Sequence, residues 1–134
     1  AQRFHSDTER RFAVLLENDP DVVKWFKPDK EAIRIYYKGE GGDVPYEPDF
    51  VVETKTSKLI CETKAAKDMK TAEVQEKAKA AVNWCEHATA HEKQIGGKPW
   101  AYLLIPHDAV TEAKTIQGLS AAYTLKALKV AGVA

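Results

Sequence analysis

The spacing of apolar residues changes along the first half of the chain from a helical to an extended pattern. A capping-box sequence at positions 6–9 precedes apolar residues at helical intervals and predicts a helix over residues 7–17. Stretches rich in β-branched and aromatic residues then predict three strands: residues 32–38, residues 46–53 and Lys58–Lys64. A short polar loop joins the last two, which predicts a hairpin.

The second half alternates between helical and buried extended patterns. An apolar stripe predicts a long helix over residues 71–94 that Gly96 and Gly97 close, and the apolar run 100–105 between two prolines predicts a strand covered on both faces. Helices are predicted over residues 108–114 and 119–129. This order predicts an α/β domain with a mixed central sheet of about four strands flanked by helices.

Composition narrows the class of protein. The 134 residues fit one domain, residues 1–134, and two cysteines indicate a reduced, soluble protein, for which we expect a cytoplasmic location and no membrane role. Twenty basic and twenty acidic residues cancel, which argues against a domain that captures nucleic acid unaided. Because Ala1 is the first residue and Met69 is the only methionine, we expect a fragment of a longer protein.

Charge is unevenly distributed around the predicted hairpin. Residues 40–53 hold five acids and no base, whereas residues 54–81 hold seven lysines against four acids. On charge alone, two solvated faces are the simpler interpretation. A site that gathers cations and contacts phosphates is the alternative.

The hairpin can bring two carboxylates together. A loop over residues 54–57 sets a register with four pairs: Glu53 with Lys58, Val51 with Ile60, Asp49 with Glu62, and Glu47 with Lys64. In that register Asp49 and Glu62 are directly opposed, and a divalent cation would relieve their repulsion. Oxygen ligands favour magnesium, manganese or calcium over zinc. A solvated ribbon of salt bridges is the alternative.

Four short sequences carry a family resemblance. Pro48-Asp49, followed after twelve residues by Glu62-Thr63-Lys64, resembles the motif of the PD-(D/E)XK nucleases, whose restriction endonuclease-like core has the order αβββαβ. The surrounding sequences resemble the C-terminal endonuclease domain of the helicase–nuclease (restriction) subunits of type III restriction enzymes: residues 6–13, 46–52 and 60–64, and Lys77 with the Ala80-Ala81 and Trp84-Cys85 pairs. The resemblance covers most of residues 6–105.

The resemblance implies a set of site residues. It assigns Asp49 and Glu62 as metal ligands, completed by the backbone carbonyl of Thr63, and Lys64 as the catalytic lysine. A lysine on the same strand face as a metal ligand can orient an attacking water and stabilise charge on the phosphate. The implied cofactor is Mg²⁺, for which Mn²⁺ can substitute.

Glu9 is assigned to the metal by the same resemblance. Its position in the capping box is enough to explain a glutamate there, yet it also lines up with the buried stripe of its helix. Lys77, on the long helix, and Lys67 and Lys70, just after the catalytic strand, are predicted to contact the nucleic-acid backbone. A solvated helix face is the alternative for Lys77.

A competing zinc site is weaker. His87 and His91 lie four residues apart on one predicted helix face, but Cys85 belongs to the apolar stripe and no fourth ligand follows. Cys61 alternates away from Glu62 and is predicted to be a buried core thiol.

The function expected from these observations is that of a metal-dependent DNA endonuclease, the nuclease domain of a type III restriction-like helicase. DNA, the helicase domain of the parent chain and a modification or specificity subunit are the expected partners. The alternative is a non-catalytic nucleic-acid-binding or assembly module that keeps the fold.

Overall fold

The computed structural model describes residues 6–29, 32–111 and 113–127. These residues form a three-layer α/β structure in which a mixed sheet separates two helical layers. The elements are, in chain order, α1 (Asp7–Asn18), β1 (Val22–Phe26), β2 (Ile35–Gly39), β3 (Gly42–Tyr46), β4 (Phe50–Thr54), β5 (Lys58–Lys64), α2 (Ala72–Ile95), β6 (Trp100–Pro106), α3 (Ile116–Tyr123) and β7 (Thr124–Leu125).

The described central sheet has five strands in the order β1-β4-β5-β6-β7. Only β5 and β6 are parallel, and α2 is the crossover between them; every other neighbouring pair is antiparallel. Strands β2 and β3 form a separate hairpin that packs against α2. The α/β class with a mixed sheet flanked by helices is therefore confirmed.

The two faces of the sheet bury separate clusters because successive strand residues point to opposite sides. Phe50 and Cys61 belong to the cluster beneath α1 and α3, whereas Val51, Ile60 and Tyr102 belong to the cluster beneath α2. Glu62 lies two residues after Ile60 in β5, so the two side chains point to the same face of the sheet. The sequence alternation of β5 thus directs this carboxylate to the α2 face of the sheet.

The predicted helical boundaries are largely confirmed in the first 96 residues. Ser6 caps α1 by accepting a hydrogen bond from the backbone N–H of Glu9 at 3.1 Å. Thr71 caps α2, and Gly96, with φ of 73°, ends it in the left-handed region that glycine adopts without strain.

The identity of the first central strand was predicted wrongly. Residues 32–38 contain β2 of the separate hairpin, and the central sheet instead begins with β1, which pairs with β4 at its edge. Strand β1 is short and half-exposed, and its register shifts between Val22 and Lys24, so its sequence lacks a regular alternation. The predicted order αβββαβ still holds for the central sheet when β1, and not residues 32–38, is counted as its first strand: α1, β1, β4, β5, α2, β6.

The predicted helices after β6 were also partly wrong. A single 3-10 turn, His107–Ala109, stands where a helix over residues 108–114 was expected, and position 112 lies outside the described residues. Helix α3 begins at Ile116, and Thr124 and Leu125 pair with β6 instead of continuing a helix. The predicted end of that helix, at residues 128–129, also lies outside the described residues.

The register of the hairpin between β4 and β5 is the predicted one. Glu53 lies opposite Lys58, and Val51 lies opposite Ile60. Thr54 closes the loop by accepting hydrogen bonds through its hydroxyl from the N–H groups of residues 56 and 57.

The pairing ends sooner than the sequence predicts. The last pair is Phe50 with Cys61, so the expected direct pairs of Asp49 with Glu62 and of Glu47 with Lys64 are not part of the ladder. Pro48, which has no backbone N–H to donate, precedes Asp49. The two strands therefore separate where the candidate site begins.

Among the described residues, no helix combines the length and the apolar character that crossing a bilayer requires.

We expect the contact between Phe12 and Phe50 to hold α1 on the sheet. Their rings meet edge to face with centroids 4.9 Å apart, and both side chains are fully buried. Phe12→Ala should lower the free energy of unfolding by about 3–5 kcal/mol, measured by urea denaturation. The matched control is Val14→Ala on the exposed side of α1, which should cost less than about 1 kcal/mol. Equal losses in the two variants would contradict this assignment.

Candidate functional site

The predicted catalytic residues meet where β4 begins and β5 ends. Asp49 immediately precedes β4, while Glu62 and Lys64 lie in the last three positions of β5. The charges of Asp49 and Lys64 both influence the carboxyl group of Glu62. The chain thus brings two acids and a lysine to one edge of the sheet, on either side of the point where the strands separate.

Asp49 replaces the missing ladder contact with its side chain. Its Oδ2 atom accepts a hydrogen bond from the backbone N–H of Thr63 at 3.1 Å. Burial raises the pKa of Asp49, and the nearby Glu9 charge raises it further, while the Thr63 N–H and the ammonium groups of Lys64 and Lys27 act in the opposite direction. The Thr63 N–H and the two ammonium groups therefore offset part of the cost of ionising Asp49.

Glu62 is the most enclosed acid of the site, with 3% of its surface exposed. Its Oε1 atom accepts a hydrogen bond from the Tyr102 hydroxyl at 2.8 Å and lies 3.1 Å from the Tyr46 hydroxyl. Burial, followed by the charge of Asp49, raises the pKa of Glu62 to about 7, although both tyrosines and Lys64 favour the ionised form. The pKa of this carboxyl group therefore lies near neutral pH.

Glu9 lies on the α1 side of the site and is held by a lysine that follows β1. The Nζ atom of Lys27 is 2.7 Å from Glu9 Oε1 and 3.2 Å from the backbone carbonyl oxygen of Asp49. The side chains of this ion pair are only 13% and 8% exposed. Ser6 caps the helix through the backbone N–H of Glu9, a contact that does not require a glutamate side chain at this position.

Lys77 lies on α2 under the β2–β3 hairpin. Its Nζ atom is 3.4 Å from Glu73 Oε2 and 5.4 Å from the ring centroids of Tyr37 and Tyr46. Its backbone carbonyl oxygen lies 3.2 Å from the Tyr46 hydroxyl, the same hydroxyl that contacts Glu62. Lys77 is therefore linked to the site through Tyr46.

The other predicted phosphate-binding lysines are on the surface. Lys67 belongs to the 3-10 turn Ala66–Asp68, Lys70 follows it, and both side chains are exposed on the connection from β5 to α2. They lie three and six residues after Lys64 in the chain.

Three residues that contact the site were not predicted from the sequence: Lys27, Tyr46 and Tyr102. Tyr102 left a signal, since a tyrosine within an apolar strand needs a partner for its hydroxyl. Tyr46 left a weaker one through its place before Pro48-Asp49. No sequence pattern indicated Lys27, because no spacing relates it to Glu9 or Asp49, which it contacts only in the folded chain.

The competing metal cluster does not form in the described part of the chain. Cys85 is buried against the α2 face of the sheet, while His87 and His91 are exposed. No set of three or more histidine, cysteine, aspartate or glutamate side chains converges there as a metal cluster. Cys61 is fully buried, as predicted, and burial raises the pKa of its thiol.

The arrangement suits a cation and a phosphate better than an isolated acid–base pair. Two acids with raised pKa values share one edge of the sheet, so a divalent cation would remove the repulsion that burial makes costly. Thr63 can add a third oxygen. In an extended strand the N–H and C=O of one residue point to the same edge, and the Thr63 N–H points to Asp49.

Comparison with known proteins identifies one family. Residues 1–96 match the family described as an endonuclease domain. The match ends one residue beyond α2 and includes every candidate site residue named from the sequence. No curated protein and no solved structure matches the chain significantly.

We expect Glu62 to make stability fall as pH rises. The pKa of Glu62 is about 7 in the folded protein and 4.5 is its ordinary value, which applies in the unfolded chain. Between these two pH values the folded protein therefore binds a proton at Glu62 that the unfolded chain has released. In EDTA, Glu62→Gln should therefore be more stable than the wild type by about 1–3 kcal/mol at pH 8, and the difference should vanish below pH 4.5. Urea denaturation across this pH range measures it.

Glu53→Gln is the control, because its effect on the stability of the folded protein should have the opposite sign. Hydrogen bonding to Lys98, 2.7 Å away, lowers the pKa of Glu53, so its ionised form stabilises the folded protein. This variant should be less stable than the wild type at neutral pH and should lose that disadvantage on acidification. A stability of Glu62→Gln that tracks the wild type at every pH would contradict the assigned environment of Glu62.

Proposed function

This chain belongs to the endonuclease-domain family, and we propose that it is a metal-dependent DNA endonuclease domain that hydrolyses phosphodiester bonds. One observation carries the proposal. Asp49 Oδ2 is held 3.1 Å from the N–H of Thr63, the residue between Glu62 and Lys64; the charge of Asp49 raises the cost of ionising Glu62, and the charge of Lys64 acts on both acids. A protein tolerates such a pair most easily when a cation and a phosphate are its ligands.

The proposed metal ligands are the carboxylates of Asp49 and Glu62 and the backbone carbonyl of Thr63. All three are oxygen donors, which suits Mg²⁺, with Mn²⁺ able to substitute. We leave Glu9 out of this inner set because the Lys27 ammonium is 2.7 Å from its carboxylate. When bound, the cation would polarise the phosphate and promote ionisation of a water molecule.

The protein's own groups would do the rest of the chemistry. The Lys64 ammonium would orient the attacking water and stabilise the negative charge that develops on the phosphate oxygens. The hydroxyl of Tyr102 would hold the Glu62 carboxylate in one orientation through its 2.8 Å hydrogen bond. The Thr63 N–H would do the same for Asp49.

We place the domain in a type III restriction-like helicase–nuclease. The formal net charge of the domain is zero, so only the few lysines near the site are available to attract DNA. Capture and sequence recognition would then come from the helicase domain of the parent chain and from a modification or specificity subunit. Lys67 and Lys70 would supply contacts to phosphates beside the scissile bond.

Lys64→Ala should abolish nicking of plasmid DNA in Mn²⁺ while leaving the melting temperature near that of the wild type. Loss of a preorganised charge at the phosphate costs about 10²–10³-fold in rate. The matched control is Lys58→Ala, at the opposite end of the same strand, where the lysine pairs with Glu92 at 3.4 Å. That variant should keep its activity.

Nicking by Lys64→Ala at the wild-type rate would contradict the catalytic assignment. A wild-type protein that binds DNA without cleaving it in Mn²⁺ would instead support the non-catalytic module that keeps this fold.

DNA binding by the isolated domain should be weak and little affected by sequence. With four candidate phosphate contacts, at Lys64, Lys67, Lys70 and Lys77, the slope of log affinity against log salt should be about −4 or shallower. Gel shifts in Ca²⁺ measure binding without cleavage. Replacing Lys67 and Lys70 by glutamine should flatten the slope by about one unit per lysine. Nanomolar, sequence-specific binding would contradict dependence on a larger parent protein.

A further inference from the structure

Lys27 is a half-buried cation beside the proposed metal site. Among the described residues its ammonium group contacts Glu9 Oε1 at 2.7 Å and the Asp49 carbonyl oxygen at 3.2 Å. The same nitrogen lies 4.5 Å from the centroid of the Phe50 ring, whose face attracts cations. The ammonium thus occupies a cation position that α1 and the beginning of β4 build together.

The position matters because of what else could use it. Glu9 and Asp49 are close enough for the Glu9 charge to act on the Asp49 carboxyl group. Without the Lys27 ammonium, the Glu9 carboxylate and the Asp49 backbone carbonyl would leave a position with two oxygen donors, the ligand type that a divalent cation takes. A second ion could then bind beside the one proposed between Asp49 and Glu62.

We propose that Lys27 is a positioning residue that takes the place of a second metal ion and so makes this a one-metal site. This inference rests on the proposed function, since it assumes that Asp49 and Glu62 bind a divalent cation. Lys27 neutralises Glu9, keeps it out of the metal ligands and fixes the backbone at Asp49 through the carbonyl contact.

Charge supports the same conclusion. When ionised, the three acids and two lysines of this group carry one net negative charge: Glu9, Asp49, Glu62, Lys27 and Lys64. One divalent cation changes the total to a single positive charge. A second would raise it to three positive charges in a half-buried group, where solvent screens Coulomb repulsion only in part.

Titration calorimetry with MnCl₂ tests the proposal without measuring activity. The wild type should bind one Mn²⁺ per chain, and Asp49→Asn should lose it. Glu9→Gln should keep one Mn²⁺ with an affinity changed by less than about tenfold. Lys27→Met, which removes the charge and keeps an apolar contact with Phe50, should bind two. Lys27→Met/Glu9→Gln should return to one, because the Glu9 carboxylate is then absent.

Lys98→Met is the matched control. Lys98 makes the same pair of contacts at the other end of β4, to Glu53 at 2.7 Å and to the backbone carbonyl of Thr54 at 2.8 Å. Its replacement should leave one Mn²⁺ per chain. Circular dichroism establishes that each variant is folded, and if Lys27→Met is not, the wild type, Glu9→Gln and the double variant decide the question.

The contrary outcomes are distinct. Any one of four results would overturn the role of Lys27 and leave the proposed function standing. These results are two ions in the wild type, loss of the site in Glu9→Gln, a folded Lys27→Met that binds only one ion, and a double variant that binds two. A wild type that binds no Mn²⁺ would overturn both.

Discussion

Repulsion between the carboxylates of Asp49 and Glu62 is the constraint around which this end of the molecule is organised. Glu62 is buried and Asp49 is half-buried, and burial raises the pKa of each. The surrounding chain supplies groups that favour their charged forms: the N–H of Thr63, the hydroxyl of Tyr102 and the ammonium of Lys64. These come from two adjacent parallel strands, so the βαβ crossover that pairs β5 with β6 is what brings them together.

The β2–β3 hairpin adds a second layer to the same site. It lies outside the central sheet, yet Tyr46, its last residue, reaches Glu62 and the backbone of Lys77. The hairpin therefore connects the buried acid to α2. A hairpin that pairs with no strand of the central sheet thus helps to hold Glu62.

Strand β4 is held at both ends by lysines that bind a carboxylate and a backbone carbonyl. Lys27 does so at Asp49, where the strand begins, and Lys98 does so at Thr54, where it ends. The two contacts differ in exposure, since the ion pair of Lys27 is much more deeply buried. A buried charge beside two acids has electrostatic consequences that an exposed one loses to solvent.

The sequence by itself determined the helix caps and the register of β4 with β5, because both depend on interactions between near neighbours in the chain, whereas the motif residues were named from a family resemblance. It failed at β1, whose bulge breaks the alternation, and at the pairing of Asp49 with Glu62, since the ladder stops at Phe50. Only the tertiary structure decided which groups surround the two acids. Lys27 and Tyr102 lie 22 and 40 residues from their partners Asp49 and Glu62, and no local pattern records a contact made by packing distant strands.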